Sequence, residues 1–330
     1  MTERQKDTVL RVSNLVTEFH LPEGIVRAVN HINFSIHSGE TLGLVGESGC
    51  GKSVTSLSIL RLIPDPPGKI VEGEILFNDQ DLLKLPRGKM QEIRGSQIAM
   101  VFQEPMTALN PLFTVGDQIS EVYVEHLKDP YRKAWEKSVE MLRKVGISPP
   151  GQRAREYIHQ VSGGMRQRSM IAMALACNPR LIIADEPTTA VDVTIQAQVL
   201  ELMKDLQARS GTAILLITHN LGVVAEMCDR VIVMYLGQAV EEAAGDVLFD
   251  HPLHPYTRGL IGSVPFPGRK SLMGKERLEE IHGMVPSMFD LPKGCVFHPR
   301  CREARGLCKE EGPRWAEVEP GHSVACWGVA

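Results

Sequence analysis

The chain has 330 residues, 43% of them hydrophobic and 23% charged, with a formal net charge of −4. That composition excludes a disordered or collagen-like polypeptide, and the missing basic excess excludes a nucleic-acid coat. No apolar run reaches the roughly 18–20 residues that span a bilayer, and the charged first ten residues lack the apolar stretch of a secretory signal. The expectation is therefore a cytosolic chain of about two domains, at roughly 100–200 residues each, meeting a membrane only through partners.

Residues 9–34 read as short β stretches with turns, one of them at Pro22-Glu23-Gly24. The run Thr41-Leu42-Gly43-Leu44-Val45 predicts a buried strand. A glycine-rich turn leads into a helix over 52–62, stopped by Pro64, Pro66 and Pro67. Strands follow over 74–77 and 98–102. Residues 105–161 are more polar and helical in period, clearest over 115–127 and 131–145, with Pro130 between. Buried strands return at 181–184, 213–217 and 231–235, with helices over 194–208 and 222–227. Alternating strands and helices imply a largely parallel sheet covered on both faces, which makes 105–161 a helical insertion into an α/β core. Beyond about residue 245, Pro, Gly and His accumulate and little regular structure is expected. The division is a domain over 1–250 and an extension over 251–330.

Three motifs carry chemistry. Gly46-Glu47-Ser48-Gly49-Cys50-Gly51-Lys52-Ser53 fits the phosphate-binding loop pattern and lies between a predicted strand and a predicted helix, the context the pattern requires. Its glycines let the backbone turn N–H groups inward onto phosphate oxygens, and the helix N-terminus adds positive potential. Lys52 would reach the β- and γ-phosphates and Ser53 would ligate Mg²⁺. The strand 181–184 runs into Asp185 and Glu186. Beside a phosphate loop, Asp185 suits Mg²⁺ coordination and Glu186 suits polarising the attacking water. Alone, such a strand end is as often a strand meeting solvent. Ser162-Gly163-Gly164 opens a second helix, with Ser162 as N-cap and two glycines leaving N–H groups uncovered.

These motifs, in this order, resemble the ATP-binding subunits of ABC transporters, most closely those of dipeptide and oligopeptide importers. The resemblance is carried by 46–53, Gln103 within Val101-Phe102-Gln103-Glu104-Pro105, the stretch from Val161 to Gln167, Asp185-Glu186, Asp192, and His219 within Ile217-Thr218-His219. Pro105-Met106-Thr107-Ala108-Leu109-Asn110-Pro111, His254-Pro255-Tyr256-Thr257 and Gly294-Cys295-Val296-Phe297-His298-Pro299-Arg300-Cys301 resemble the peptide-importer branch. Departures are Val161, Met165, Val191 and Asn220, none of which removes a phosphate, metal or base group.

The resemblance implies the fold of a P-loop NTPase core of ABC type, with an N-terminal antiparallel β subdomain, a helical insertion and an irregular C-terminal extension. It implies Mg²⁺-dependent ATP hydrolysis, with Glu186 as base, Lys52 spreading phosphoryl charge, Gln103 touching Mg²⁺ and water, and His219 bonding the γ-phosphate. Phe19 would stack on adenine, and Ser162, Gly163 and Gly164 would close on the ATP of a second, homologous subunit. The implied partners are that subunit, two transmembrane permeases at the cytoplasmic face of the membrane and, indirectly, an extracytoplasmic solute-binding protein, with no nucleic acid. Peptide and nickel importers share the pattern. A soluble ABC ATPase fits less well, because the insertion lacks sustained heptads and the chain carries one ATPase domain.

Four of the seven cysteines, Cys295, Cys301, Cys308 and Cys326, crowd the last 40 residues. In a reducing compartment metal ligation suits them better than disulfides. Their spacing is wider than in zinc ribbons or bacterial ferredoxins, so spacing leaves a cluster, zinc or plain buried thiols open. Resemblance to the peptide-importer extension favours one [4Fe–4S] cluster on the four cysteines, which make the substitute ligands His298 and His322 unnecessary.

Overall fold

The computed structural model describes residues 7–187, 193–263 and 281–329. In chain order the strands are β1 (Thr8–Leu21), β2 (Gly24–His37), β3 (Thr41–Val45), β4 (Gly68–Phe77), β5 (Gln80–Asp81), β6 (Ile98–Val101), β7 (Leu181–Asp185), β8 (Ala213–Ile217), β9 (Arg230–Tyr235), β10 (Gln238–Ala244), β11 (Ala316–Glu319) and β12 (His322–Val324). β1, β2, β4 and β5 form the expected N-terminal sheet, in the order β2-β1-β4-β5.

Where short stretches and turns were expected over 9–34, two strands of 14 residues run through. Each contains one left-handed residue, Asn14 (φ 51°) and His31 (φ 54°), and these two bond side chain to side chain at 2.6 Å. A polar residue that breaks the strand period from inside reads in sequence as a turn. The helix predicted over 52–62 ends sooner, at Lys52–Ile59, with Arg61 left-handed (φ 51°) just beyond.

The chain divides into two compact units. One comprises the residues up to Arg11, Ser35–Thr41 and Ile75–Ile217. Here β6, β7 and β8 run parallel in that order, and every residue of β7 and β8 is buried. Up to Asp185 at the end of β7 their side chains are aliphatic on both faces, as a sheet covered on both sides requires. The helical insertion lies in this unit. Its helices Val115–Leu127 and Tyr131–Lys144 approach closely enough for Ser120 and Ser138 to share a buried hydroxyl bond of 2.9 Å.

The other unit comprises Val12–Phe34, Leu42–Glu74 and the residues from Thr218 onward. β3 pairs parallel with β9, β9 antiparallel with β10, β10 with β12 and β12 with β11. The extension is thus less irregular than expected. It supplies β11 and β12 to this sheet, and helices Pro255–Gly262 and Gly306–Glu310. The fully buried carboxylate of Glu241 on β10 anchors it, accepting from the amides of Leu253 and His254 and bonding His322 Nε2. A buried charge with three partners is satisfied where a lone one would not be.

Candidate active site

In the second unit β3 delivers the phosphate-binding loop. Gly46 and Gly51 take φ of 150° and 103°, and a Cβ on them would stand 2.2 Å from Met234 O and 2.3 Å from Ala28 O. Only glycine fits either position. Ser48, Gly49 and Ser53 are exposed while Gly46, Cys50, Gly51 and Lys52 are buried. The Lys52 ammonium donates to the carbonyls of Gly46 (2.8 Å) and Glu47 (3.0 Å), so its charge is held on the loop itself. Burial raises the Cys50 thiol above its ordinary pKa, against the opposing pull of Lys52, which keeps it a neutral packing group. A glycine cradle with a fixed ammonium and an exposed hydroxyl fits a polyphosphate and its metal.

In the first unit β7 ends in the acid pair. Asp185 is buried. Glu186 stands in the left-handed region (φ 48°), and its amide donates to Ile217 O at 2.8 Å. The Gln103 amide, just past β6, donates to a Glu186 carboxylate oxygen at 3.1 Å. The sequence-predicted glutamine and base therefore touch. Ser162 caps the helix Gly163–Leu175 by accepting from the Met165 amide at 3.4 Å, and Gly163 faces open space. The buried Gln167 side chain donates to Pro187 O, tying that helix to the segment after the acids. Phe19 is half-buried, with its ring edge against Gly68, and His219 is exposed just past β8. Asp192 lies outside the described residues.

The four tail cysteines converge. All line one cavity of about 30 Å³ with His254, His298 and Phe297. Burial first, then neighbouring thiols, push Cys295 up; burial raises Cys301 and Cys326 as well. Among the described residues no group of three or more His, Cys, Asp or Glu stands where it could hold a metal ion. His322 is turned instead to Glu241, and His298 Nδ1 to Cys295 O.

One contact was missed in the sequence. Arg300, quoted only as part of a family-like stretch, makes a two-pronged ion pair with Glu47 of the phosphate loop, at 2.6 and 3.0 Å. Tyr256 accepts from the Glu47 amide through its hydroxyl at 2.8 Å. The available signal was Glu47 itself, an acid in a loop that binds anions and therefore in need of a cation.

Residues 29–189 match the family described as "ABC transporter", and residues 240–308 the one described as "Oligopeptide/dipeptide transporter, C-terminal region". Among relatives, the "Probable peptide ABC transporter ATP-binding protein y4tR" of Sinorhizobium fredii is 54% identical, over 97% of this chain and 95% of its own. The oligopeptide transport ATP-binding protein AppD of Bacillus subtilis is 51% identical over 97% and 96%. Among solved structures, the ATP-binding cassette MJ0796, in a dimeric post-hydrolysis state bound to ADP and Pi, is 27% identical with a TM-score of 0.65, covering 71% of this chain and 98% of its own. Such identity over nearly the whole of both chains places the phosphate loop and acid pair in a known setting: the chain belongs to the ABC transporter ATPases, in the branch that carries the oligopeptide/dipeptide C-terminal region.

Proposed function

We propose that this ABC ATPase powers the uptake of di- and oligopeptides through partner membrane subunits. The observation that carries the reading is the match of residues 240–308 to the oligopeptide/dipeptide C-terminal region, joined to relatives whose names specify peptide transport. Among the described residues no helix is long and apolar enough to cross a membrane, which suits a peripheral subunit at the cytoplasmic face. Its partners in this reading are two permeases, a second homologous ATPase subunit and, indirectly, a solute-binding protein. Residues 1–250 perform the ATP chemistry, and 251–330 form the extension.

In the hydrolytic step a water oxygen attacks the γ-phosphorus of ATP and the bond to the β–γ bridging oxygen breaks, giving ADP and phosphate. Glu186 takes the proton from that water, and Gln103, bonded to Glu186, fixes its carboxylate. Lys52 leaves the carbonyls of its own loop for the phosphates, and His219 donates to the γ-phosphate. Ser53 and Asp185 are the residues that would hold Mg²⁺, which would neutralise phosphoryl charge. Phe19 stacks on adenine. Ser162, Gly163 and Gly164 present a capped helix N-terminus of 13 residues to nucleotide held by the second subunit.

The finer proposal for the tail is one [4Fe–4S] cluster on Cys295, Cys301, Cys308 and Cys326. Convergence of four thiols on one cavity supports it, since four thiolates suffice to ligate such a cluster. Anaerobic purification with iron, sulfide and zinc analysis tests it, and stoichiometric zinc or no metal rejects it. The transport reading is tested in proteoliposomes holding this chain with its permeases and partner ATPase. ATP-dependent accumulation of labelled peptides is expected; uptake of nickel with none of peptide would overturn it.

A further inference from the structure

An acid has no obvious place in a loop that binds a polyphosphate. Glu47 follows the first glycine of the motif, and its carboxylate would repel the anion that the loop exists to hold. Its three polar groups are nevertheless all engaged. The carbonyl accepts from Lys52, the amide donates to the Tyr256 hydroxyl, and the carboxylate takes both prongs of Arg300. Two of these three partners come from the C-terminal extension.

Arg300 is itself over-determined. Its side chain is only 5% exposed, against 27% for Glu47. Nε donates to His282 O (3.2 Å), Nη2 to Ile281 O (3.4 Å) and Nη1 to Tyr235 Oη (3.4 Å). Its guanidinium stands 5.9 Å from the Tyr235 ring centre, and Tyr235, Tyr256 and Phe297 pack ring against ring at 4.7 to 5.4 Å. A planar fork fixed on two segments and closed on a carboxylate is a rigid clamp that a lysine could not reproduce.

We propose that Arg300 is a positioning residue for nucleotide binding: from the C-terminal extension it neutralises and holds Glu47, and so sets the affinity of the phosphate loop for MgATP. This rests on the reading of that loop as the nucleotide site. The clamp acts at both levels. It removes the loop's own negative charge, and it fixes the backbone whose carbonyls carry Lys52.

The test is equilibrium binding of a fluorescent N-methylanthraniloyl ATP with Mg²⁺ to the full chain. Arg300→Gln leaves Glu47 unneutralised and should weaken binding at least about tenfold. Arg300→Lys, which keeps charge without the fork and is the milder change for folding, should fall between. Glu47→Gln added to Arg300→Gln should restore affinity to within about threefold of Glu47→Gln alone, a rescue that a purely structural role for Arg300 would not give. Arg258→Gln breaks an exposed ion pair to Glu303 in the same extension and should change affinity less than twofold. In the assembled transporter the KM for ATP should rise in Arg300→Gln with kcat within about threefold. Affinity within twofold of the parent in both Arg300 variants, or no rescue by Glu47→Gln, overturns the clamp while leaving the nucleotide site intact. A parent chain that binds no MgATP overturns the nucleotide reading, and the clamp with it.

Discussion

The phosphate-binding loop and the acid-bearing end of β7 are built by opposite means. The loop is fastened from every side: glycines pressed against carbonyls, an ammonium held by two carbonyls, an acid clamped by an arginine. The strand β7 is buried through Asp185. Glu186 then takes a left-handed backbone, and its carboxylate accepts from the side chain of the exposed Gln103. Binding a highly charged ligand rewards preorganisation, because any loop motion is lost affinity. The base that Glu186 is proposed to be must instead change partners within each turnover, and a left-handed backbone with a polar neighbour suits that.

The largest expected effect separates the two directly. Glu186→Gln should lower kcat by about 10²–10⁴-fold while MgATP affinity stays within about threefold. If affinity collapsed as well, Glu186 would belong to the binding apparatus and the contrast would fail. Gly46→Ala should do the reverse. Its Cβ meets Met234 O, and its backbone is one that alanine resists, so stability measured by urea titration should drop by about 1–3 kcal/mol and MgATP binding should be lost.

A pH prediction probes the extension that backs the loop. Burial, helped by Arg258, pushes the His254 imidazole from 6.5 down to about 3. The folded state therefore binds this proton more weakly than the unfolded chain. The stability it protects is complete above about pH 6.5 and is lost as pH falls toward 3, at about 1.4 kcal/mol per pH unit. His254 caps its helix through Nδ1, a bond that an asparagine oxygen can also accept. His254→Asn should flatten the fall in urea midpoint between pH 7 and 5; an unchanged slope would assign acid sensitivity elsewhere. Ser162→Ala is the smallest change. It should cost about 1 kcal/mol of stability through the lost cap and leave MgATP affinity of the isolated chain unaltered.

What could be read from the sequence was what local pattern encodes. The strand Thr41–Val45 shows as an apolar run closed by glycine, and β8 as five aliphatic residues. The helices Val115–Leu127 and Tyr131–Lys144 keep their period between prolines. Strands β11 and β12 did not show, because Ala316-Glu317-Val318-Glu319 and His322-Ser323-Val324 are short and largely polar, and become strands only by pairing onward from β10. The left-handed Glu186 left no trace, since its conformation is imposed by surrounding structure. The convergence of four cysteines was legible in their crowding. Arg300 and Glu47 are 253 residues apart, beyond any periodic signal.

That separation has a consequence for synthesis. At about 5–20 residues per second, Glu47 leaves the ribosome roughly 10 to 50 seconds before Arg300 is made. Through that interval the nascent chain carries a phosphate loop whose acid is not yet neutralised. The ion pair therefore closes late in translation, and a growing polypeptide acquires the clamp on its nucleotide loop only after the opposite end of the sequence has arrived.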